Sequence, residues 1–470
     1  MTRRLDVDLC VIGAGSGGLS VAAGAVQLGK SVVLCEQGEM GGDCLNYGCV
    51  PSKALLAAAA AAATIRKAGD YGLRAGPPEV DFAAVIAHVR ATVAAIAPHD
   101  SEERFAKLGC TVIRAAAAFT GPREARAGDA VIGARHFVIA TGSAPVVPPI
   151  DGLSDVPYLT NETIFDNQIL PRHLVVIGGG AVGCELAQAH RRLGASVTIV
   201  EAARLLGGED AEAVDLLRAA LVREGVVLRE GCMVKAVRRD AGDILVDLGG
   251  EALRASHLLI AAGRKPNVAG LALYKAGVGA DKRGVIVDDR LRTANKRIFA
   301  VGDAVGGAFT HVAGDHAGTV IRNLCFKVPA RRRDALAPRV VYTDPEIASI
   351  GLAEAAAREK FGAGVRDARF AFRDNDRAQA EKDTEGFAKI VADRSGRILG
   401  AVVAGKGAGD QIAMVALAMA NRLKIGAFTA MIAPYPTRSE IAKRVAGQWY
   451  GPTLFSARTR RLVRLLGALD

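Results

Sequence analysis

The sequence is poor in aromatic residues and has no long apolar run. Only one of its 470 residues is Trp, and Phe, Tyr and Trp together make up 5% of the chain. No uninterrupted apolar segment approaches the roughly 18–20 residues that a membrane-spanning helix requires, so we expect no transmembrane span. Glycine, with 54 residues, and alanine are abundant but recur at no fixed period, which argues against a solenoid or a propeller.

Neither sign of charge dominates the chain. The 60 basic residues exceed the 49 acidic ones by 11, and because this excess is spread along the sequence we expect no nucleic-acid-binding domain. Half of the residues are apolar, which excludes a disordered or collagen-like chain. The length suggests about three domains of ordinary size.

The N-terminal segment and the cysteines indicate a cytoplasmic protein. Asp6 and Asp8 interrupt the apolar N-terminal segment, which we interpret as a strand and not as a signal peptide. Of the eight cysteines only Cys44 and Cys49 are closely spaced, and most of the others are expected to be buried as small apolar residues. No second Cys or His pair has suitable spacing, so we predict no metal site.

A glycine-rich turn follows the first predicted strand. The turn carries Gly13, Gly15 and Gly18, a helix of small residues comes next, and a second strand ends at Glu36. The glycines allow a tight turn and a close approach of the backbone to a pyrophosphate, and Glu36 is placed to accept a hydrogen bond from a ribose hydroxyl. This strand–turn–helix–strand order predicts a dinucleotide site.

The same pattern recurs about 165 residues later. Gly178, Gly180 and Gly183 follow a strand and precede a helix, and the next strand ends at Glu201. The carboxylate of Glu201 would repel a 2′-phosphate, which favours NADH over NADPH, although the nearby Arg204 offers NADPH a partial partner. Two dinucleotide sites in one chain are what a flavoprotein that oxidises a nicotinamide requires.

Three further segments are predicted to border these two sites. The first apolar strand is followed by Thr141 and Gly142, the second ends shortly before Gly263, and the third ends just before Asp303. We expect Asp303 to hydrogen-bond a ribityl hydroxyl, the alternative being an ordinary turn residue. A helix that begins near Thr310 would direct its N-terminus at a flavin ring.

Cys44 and Cys49 are too far apart on an ideal helix to form a disulfide, at roughly 8–9 Å between their Cα atoms. Gly48 and Pro51 allow the chain to distort around the pair and then to start a regular helix. Cys49 would then lie near a helix N-terminus, where a thiolate is stabilised. A buried structural cysteine pair is the alternative.

The segment GGDCLNYGCVPSKAL, together with the two glycine loops and the ATGS, AAGRKPN and IFAVGD motifs, resembles the class I pyridine nucleotide–disulfide oxidoreductases. That family includes dihydrolipoamide dehydrogenase, glutathione reductase and mercuric reductase. The resemblance implies an α/β fold with two Rossmann-like domains, for FAD and NAD(P), and a C-terminal α+β dimerisation domain. The implied boundaries are 1–150 with 270–330 for FAD, 151–269 for NAD(P), 336–447 for dimerisation, and 448–470 for a basic tail.

The same resemblance implies the chemistry. A hydride passes from NAD(P)H to the flavin, and the electrons reach the disulfide through Cys49, the flavin-proximal charge-transfer thiol. Cys44 is then the distal thiol that meets the acceptor. Lys53 is expected near the flavin, paired with Glu185, whereas without the resemblance both would be ordinary charges on helix surfaces.

The sequence departs from the disulfide reductases of this family near its C-terminus. Their general acid–base is a His that is oriented by a Glu and contributed by the other subunit, which implies a homodimer. Here Tyr435 stands in place of that His, Glu440 remains, and no His follows His316. A Tyr, with an unperturbed pKa near 10, is a poor proton shuttle at neutral pH.

This departure leaves the electron acceptor open. A Tyr at this position resembles mercuric reductase, but no cysteine follows Cys325 to supply that enzyme's outer thiol pair. The acceptors considered are a soft metal ion such as Hg(II) or Cu(II), a quinone and a small disulfide. The alternative functions are dihydrolipoamide dehydrogenase, and a flavin-bound redox sensor or membrane-associated partner protein.

The last residues form a basic amphipathic pattern. Leu462, Leu465, Leu466 and Leu469 share one face of a predicted helix, and arginines occupy the other. Such a helix can lie on the inner face of an anionic membrane as a peripheral contact. The alternative is a helix that docks on the protein or on its dimer partner.

Overall fold

The computed structural model describes residues 3–307 and 309–468, which form two compact units. The first unit runs through Arg204 and then from Val226 to Asp334, and the second contains Leu205–Gly225 and the chain from Ala335 onward. Both glycine loops and the cysteine pair fall in the first unit. The mixed α/β class predicted from the sequence is confirmed.

A seven-stranded sheet carries the first glycine loop. Its strands, in spatial order, are Cys110–Ile113, Val32–Cys35, Arg3–Ile12, Ala130–Ile139, Glu124–Ala127 and Ala117–Gly121, with Ile298–Ala300 also paired to Ala130–Ile139. The strands near the loop are parallel, and the last two antiparallel. Strand residues such as Leu9, Val11 and Leu34 are fully buried, because helices cover a sheet of this kind.

A second, fully parallel sheet carries the second glycine loop. Its order is Val226–Glu230, Ser196–Glu201, His173–Ile177 and His257–Ile260. An antiparallel sheet of Ala236–Asp240, Asp243–Asp247 and Ala252–Ala255 accompanies it, and two short pairs join Ser143–Pro145 to Arg264–Pro266 and Ala280–Asp281 to Gly284–Val285.

The helices of the first unit connect these strands. They are Ser16–Gln27, Gly42–Asn46, Cys49–Arg66, Phe82–Ile96, Glu102–Leu108, Ala181–Leu193 and Thr310–Leu324. Ser16–Gln27 and Ala181–Leu193 are the helices predicted after the two glycine loops. Thr310 begins its helix as predicted.

The second unit is built on an antiparallel sheet. The spatial order is Arg339–Val341, Ile347–Gly351, Ile398–Ala404, Phe387–Ala392 and Arg366–Ala371. Its helices are Ala211–Arg223, Glu354–Phe361, Asp376–Ala380, Ala408–Ala420, Ala427–Ala430, Glu440–Leu454 and Ala457–Leu466. Phe372, Ile412 and Val445 lie in the apolar core between the sheet and these helices.

The tail predicted for 448–470 is divided in the structure. Residues through Leu454 continue the preceding helix, and Trp449 is buried beneath the guanidinium of Arg366, 4.2 Å from the ring centroid. The separate tail helix is Ala457–Leu466, and it has no buried residue. Leu469, predicted on its apolar face, lies outside the described residues.

Two helical stretches among the described residues are long and apolar enough to cross a bilayer by length and composition alone, although the sequence has no uninterrupted apolar run of that length. They are Gly42–Arg66 and Phe82–Leu108. The expectation counted uninterrupted apolar residues, whereas these stretches admit a few polar ones. Each is also divided into successive shorter helices. Length and composition are weak evidence here, because core helices of other proteins meet the same criterion.

The first glycine loop predicts the result of a substitution. A Cβ at Gly18 would lie 1.9 Å from the carbonyl oxygen of Gly13, so Gly18→Ala must displace backbone. We expect a loss of about 2–3 kcal/mol in the free energy of unfolding, measured by urea denaturation. Gly69→Ala is the matched control, because nothing lies within 4 Å of its Cβ position. Equal stabilities of the two variants would contradict this packing argument.

Candidate active site

The two glycine loops have the same geometry. Gly13 and Gly178 have φ of +107° and +113°, and a Cβ on either would lie 2.3 Å from the carbonyl oxygen of a neighbouring strand end. A Cβ on Gly183 would lie 2.0 Å from the Gly178 oxygen, just as a Cβ on Gly18 would lie 1.9 Å from the Gly13 oxygen. Glycine is therefore required at these positions by close backbone contact.

Gly15 and Gly180 differ from these glycines. No atom lies within 4 Å of the Cβ position of either residue. Each is the N-cap of the helix that follows its loop, so the first free backbone N–H groups of both helices adjoin open space. This is the arrangement that a pyrophosphate requires.

The acidic residue at the end of each second strand is held by its own loop. Glu36 accepts hydrogen bonds from the N–H of Ala14, at 2.6 Å, and of Gly38, at 2.7 Å. Glu201 accepts equivalent bonds from Gly179 at 2.7 Å and from Ala203 at 2.9 Å. Both carboxylates are therefore fixed beside the loops, where the sequence predicted ribose contacts.

A cleft of about 510 Å³ opens at the second loop. Gly178, Gly180, Glu201 and Gly263 line it, as the sequence predicted for a nicotinamide dinucleotide site. Cys232 also lines the cleft, which sequence reasoning did not anticipate. The volume lies within the range of ordinary small-molecule sites.

The thiol segment, residues 44–49, lies where one helix ends and another begins. The helix Gly42–Asn46 carries Cys44, and the helical conformation is interrupted at Tyr47 and Gly48. Cys49 is the first residue of the next helix, Cys49–Arg66. This is the predicted distortion. The two thiols are not joined in this structure, and Cys49 is exposed.

The two thiols have opposite acidities. A hydrogen bond from Cys44 lowers the pKa of Cys49 to about 6, with further help from the Thr310 hydroxyl and the positive charge of Lys53. The Sγ of Cys49 lies 3.3 Å from the Oγ1 of Thr310. The same thiol–thiol hydrogen bond, together with burial, raises the pKa of Cys44 far above that of a free thiol. Cys49 is therefore the thiolate at neutral pH.

An ion pair joins the thiol helix to the helix after the second loop. The Nζ of Lys53 lies 2.8 Å from Oε2 of Glu185, whose side chain is only 6% exposed. At the far end of the same helix, Arg66 donates to the backbone oxygen of Arg192 at 2.6 Å. Lys53, whose side chain is 37% exposed, and the buried Glu185 thus form one ion pair and are not two separate surface charges.

Polar side chains connect the thiol segment to Asp303. Arg264 pairs with Asp43 at 2.9 Å and donates to the hydroxyl of Ser143 at 2.8 Å, and that hydroxyl donates to Asp303 at 2.5 Å. Asn161 also donates to Asp43, at 3.1 Å. Burial raises the pKa of Asp303, and the Ser143 hydrogen bond opposes that rise. Sequence reasoning found Asp303 but missed its partners.

Thr141 and Gly142 contact a segment of the other nucleotide-binding motif. The Thr141 hydroxyl donates to the carbonyl oxygen of Asn267 at 2.6 Å, and the Gly142 oxygen accepts from the N–H of Asn267 at 2.9 Å. The antiparallel pair Ser143–Pro145 and Arg264–Pro266 continues this contact. The two predicted border segments are therefore one junction.

His316 was also missed by sequence reasoning. It is 1% exposed, and its Nδ1 accepts from the backbone N–H of Gly302 at 3.3 Å. Its Nε2 lies 3.0 Å from a carboxylate oxygen of Asp334. The imidazole thus supports the turn that carries Asp303.

In the second unit, the structure pairs Tyr435 with Asp376. The Tyr435 hydroxyl donates to Oδ2 of Asp376 at 2.8 Å, and this carboxylate raises the pKa of the phenol. Glu440, the predicted orienting acid, instead pairs with Arg444 at 2.6 Å. Asp376 is the first residue of the short helix Asp376–Ala380, and the spacing of residues 376 and 435 in the sequence does not predict their contact.

No cluster of three or more His, Cys, Asp or Glu side chains suited to a metal ion occurs among residues 3–307 and 309–468. Two thiols alone remain as soft ligands at the candidate site. Soft ions such as Hg(II) and copper favour thiolates over oxygen ligands.

Comparison with known proteins identifies the family. Residues 7–317 match the family model described as pyridine nucleotide-disulphide oxidoreductase, and residues 337–446 match the dimerisation domain of the same family. These matches cover most of both units.

Individual relatives agree. The chain is 39% identical to a mercuric reductase of Streptomyces lividans over 93% of this chain and 95% of the relative. It is 36% identical to dihydrolipoyl dehydrogenase 3 of Pseudomonas aeruginosa over 94% and 98%. The Cu(II) complex of the HOCl-induced flavoprotein disulfide reductase RclA from Escherichia coli superposes with a TM-score of 0.85 at 28% identity, covering 93% of this chain and 99% of that one. The chain therefore belongs to the pyridine nucleotide-disulphide oxidoreductases, a family of FAD-dependent enzymes that use a pyridine nucleotide.

Proposed function

We propose that this enzyme passes electrons from NADH through FAD to the Cys44–Cys49 pair and on to a soft metal ion such as Hg(II) or Cu(II). The observation that carries the choice of acceptor is the Tyr435–Asp376 hydrogen bond. Tyr435 stands where disulfide reductases of the family place their proton-shuttling His. Its hydrogen bond to Asp376 raises the pKa of the phenol, which therefore stays protonated at neutral pH.

The residues present fit both dinucleotides. The open sides of Gly15 and Gly180 leave room for a pyrophosphate at each loop, and Glu36 and Glu201 are fixed as ribose acceptors. We assign FAD to the first loop, with domain boundaries 1–150 and 270–330, and the nicotinamide coenzyme to the second, within 151–269. Bound FAD supplies the hydride chemistry that links a two-electron donor to a dithiol.

The protein's own groups then have separate roles. Asp303, oriented by the Ser143 hydroxyl, is assigned to the ribityl chain, and Thr141, Gly142 and Gly263 border the two coenzymes. Lys53, one turn after Cys49 on the same helix, supplies a cation that favours the Cys49 thiolate. Because its partner Glu185 is buried, we assign the pair to tuning of the site more than to stability.

Cys44 and Cys49 together form the exchange site. Each NADH gives up one hydride, hence two electrons, and becomes NAD⁺. The two electrons and the proton of the hydride convert the disulfide to the Cys44 thiol and the Cys49 thiolate. Two electrons then reduce one Hg(II) or two Cu(II) as the disulfide re-forms and the Cys44 proton passes to solvent. No step on a metal ion requires the general acid–base that acts on a leaving thiol.

A second candidate function is dihydrolipoamide dehydrogenase, favoured by the similarity to dihydrolipoyl dehydrogenase 3. It requires a proton shuttle, and Tyr435 with its raised pKa serves that role poorly. A quinone or a small disulfide as acceptor, and a purely sensory role, are separated from the metal-ion proposal by the turnover experiment below.

We further propose a cytoplasmic homodimer. The match to the dimerisation domain over residues 337–446 supports the dimer. Within it, Tyr435 and Glu440 are assigned to the partner subunit's thiol site, as the family's His–Glu pair is. Peripheral membrane contact by the tail is a separate proposal, since it needs none of the redox residues.

The low pKa of Cys49 predicts a pH-dependent spectrum. In the two-electron-reduced holoenzyme, the Cys49 thiolate beside the flavin should give long-wavelength charge-transfer absorption that grows as the pH rises through about 6. Cys49→Ser should abolish the absorption, and Thr310→Val should move its midpoint to higher pH by removing a hydrogen bond to the thiolate. Thr64→Val, near the C-terminal end of the helix Cys49–Arg66, should leave the midpoint unchanged. An intact band in Cys49→Ser would refute the assignment of this thiol.

Coenzyme preference is predicted to depend on Glu201. Glu201→Ala should shift the ratio of kcat/KM for NADH and NADPH by at least about tenfold toward NADPH, because it removes a charge that repels the 2′-phosphate. Glu103→Ala removes the same charge from a distant helix and should leave the ratio unchanged. If both variants keep the wild-type ratio, charge repulsion at Glu201 does not select the coenzyme.

The acceptor is tested by NADH oxidation with Hg(II), Cu(II), a soluble quinone, lipoamide, glutathione disulfide and oxygen. We expect metal-ion turnover to exceed lipoamide turnover by at least about 100-fold, the usual contribution of a general acid–base. Tyr435→His should raise lipoamide turnover, whereas Tyr274→His, at a 79% exposed position, should not.

Each alternative has its own outcome in this experiment. Fast lipoamide turnover by the wild type would contradict the metal-ion proposal and favour dihydrolipoamide dehydrogenase. Turnover with the quinone alone would reassign the acceptor, and slow turnover with all acceptors would favour a sensor.

A further inference from the structure

The tail helix Ala457–Leu466 presents an uncovered apolar face. Leu462, Val463, Leu465 and Leu466 are 54%, 61%, 69% and 55% exposed. These side chains could be shielded from water only by a contact with something outside the described residues. Contiguous apolar surface of this kind marks an interaction site.

The other face of the same helix is strongly basic. Arg460, Arg461 and Arg464 lie on this face, Arg458 lies one turn before Leu462 on the apolar side, and the helix Ala457–Leu466 contains no Asp or Glu. With 3.6 residues per turn, Arg460, Arg461 and Arg464 lie opposite Leu462 and Leu466. The helix therefore combines cationic and apolar surfaces and has no acidic residue within its own length.

Polar contacts hold the base of this helix. Ser456 caps it by accepting from the N–H of Thr459 at 3.2 Å, and the Thr459 hydroxyl donates to the Thr453 oxygen at 2.9 Å. Arg460 donates to the Phe455 oxygen at 3.1 Å. These bonds fix the N-terminus of the helix and leave its apolar face exposed.

We propose that this helix docks on an anionic lipid bilayer, with the leucine face at the acyl boundary and the arginines on headgroup phosphates. An amphipathic helix with this division of charge is suited to that interface. A nucleic acid would satisfy the arginines but offers no partner for the four apolar side chains. A twofold pairing of the leucine faces of two copies would cover the apolar side chains but would leave the arginines on the outer sides without an anionic partner.

The test is co-sedimentation of the full-length holoenzyme with lipid vesicles. Binding to vesicles with 30% phosphatidylglycerol should exceed binding to pure phosphatidylcholine by at least about tenfold and should fall at high salt. Leu462→Gln with Leu466→Gln should lose most of this binding, and Arg461→Gln with Arg464→Gln should do the same. Both double variants should retain wild-type NADH oxidation, because the tail carries no redox residue.

The matched control is Leu73→Gln with Arg74→Gln, which removes an exposed leucine and an exposed arginine from a loop elsewhere. It should bind vesicles as the wild type does. Failure of the wild type to bind anionic vesicles would overturn the proposal, as would binding that survives the leucine substitutions. A chain ending at Phe455 that changes its oligomeric state instead of its lipid binding would assign the helix to a second copy. Since these readouts need no electron acceptor, they are independent of the redox proposal.

Discussion

The ion pair between Lys53 and Glu185 is the contact on which the candidate active site depends. It joins the helix that begins at Cys49 to the helix that begins after the second glycine loop. The bond from Arg66 to the Arg192 oxygen fixes the other end of the same two helices. The thiol proposed to receive electrons and the loop proposed to bind their donor are therefore held together by two polar contacts within the first unit.

Local patterns were sufficient to predict the parts of the site that depend on local backbone geometry. Gly18 and Gly183 are required by contacts within their own turns, and the start of a helix at Cys49 follows from Gly48 and Pro51. Such features are encoded by neighbours in sequence, so spacing reveals them. The family comparison confirms the class and the overall fold.

Partners distant in sequence could not be predicted in the same way. Arg264 reaches Asp43 across more than 200 positions, and Asp376 replaces Glu440 as the partner of Tyr435. These contacts depend on how separate strands and helices pack. Trp449 shows the same limit, because periodicity describes the faces of a helix but not which face the rest of the fold covers.

The matched hydrogen bonds of Glu36 and Glu201 have a consequence for the selectivity of the two sites. Because each carboxylate is bound by its own loop in the same way, both sites present the same surface to the adenosine half of a dinucleotide. The adenosine half is the part that FAD and NADH share. With FAD and the nicotinamide coenzyme assigned as proposed, the two sites are therefore expected to tell them apart by their isoalloxazine and nicotinamide ends.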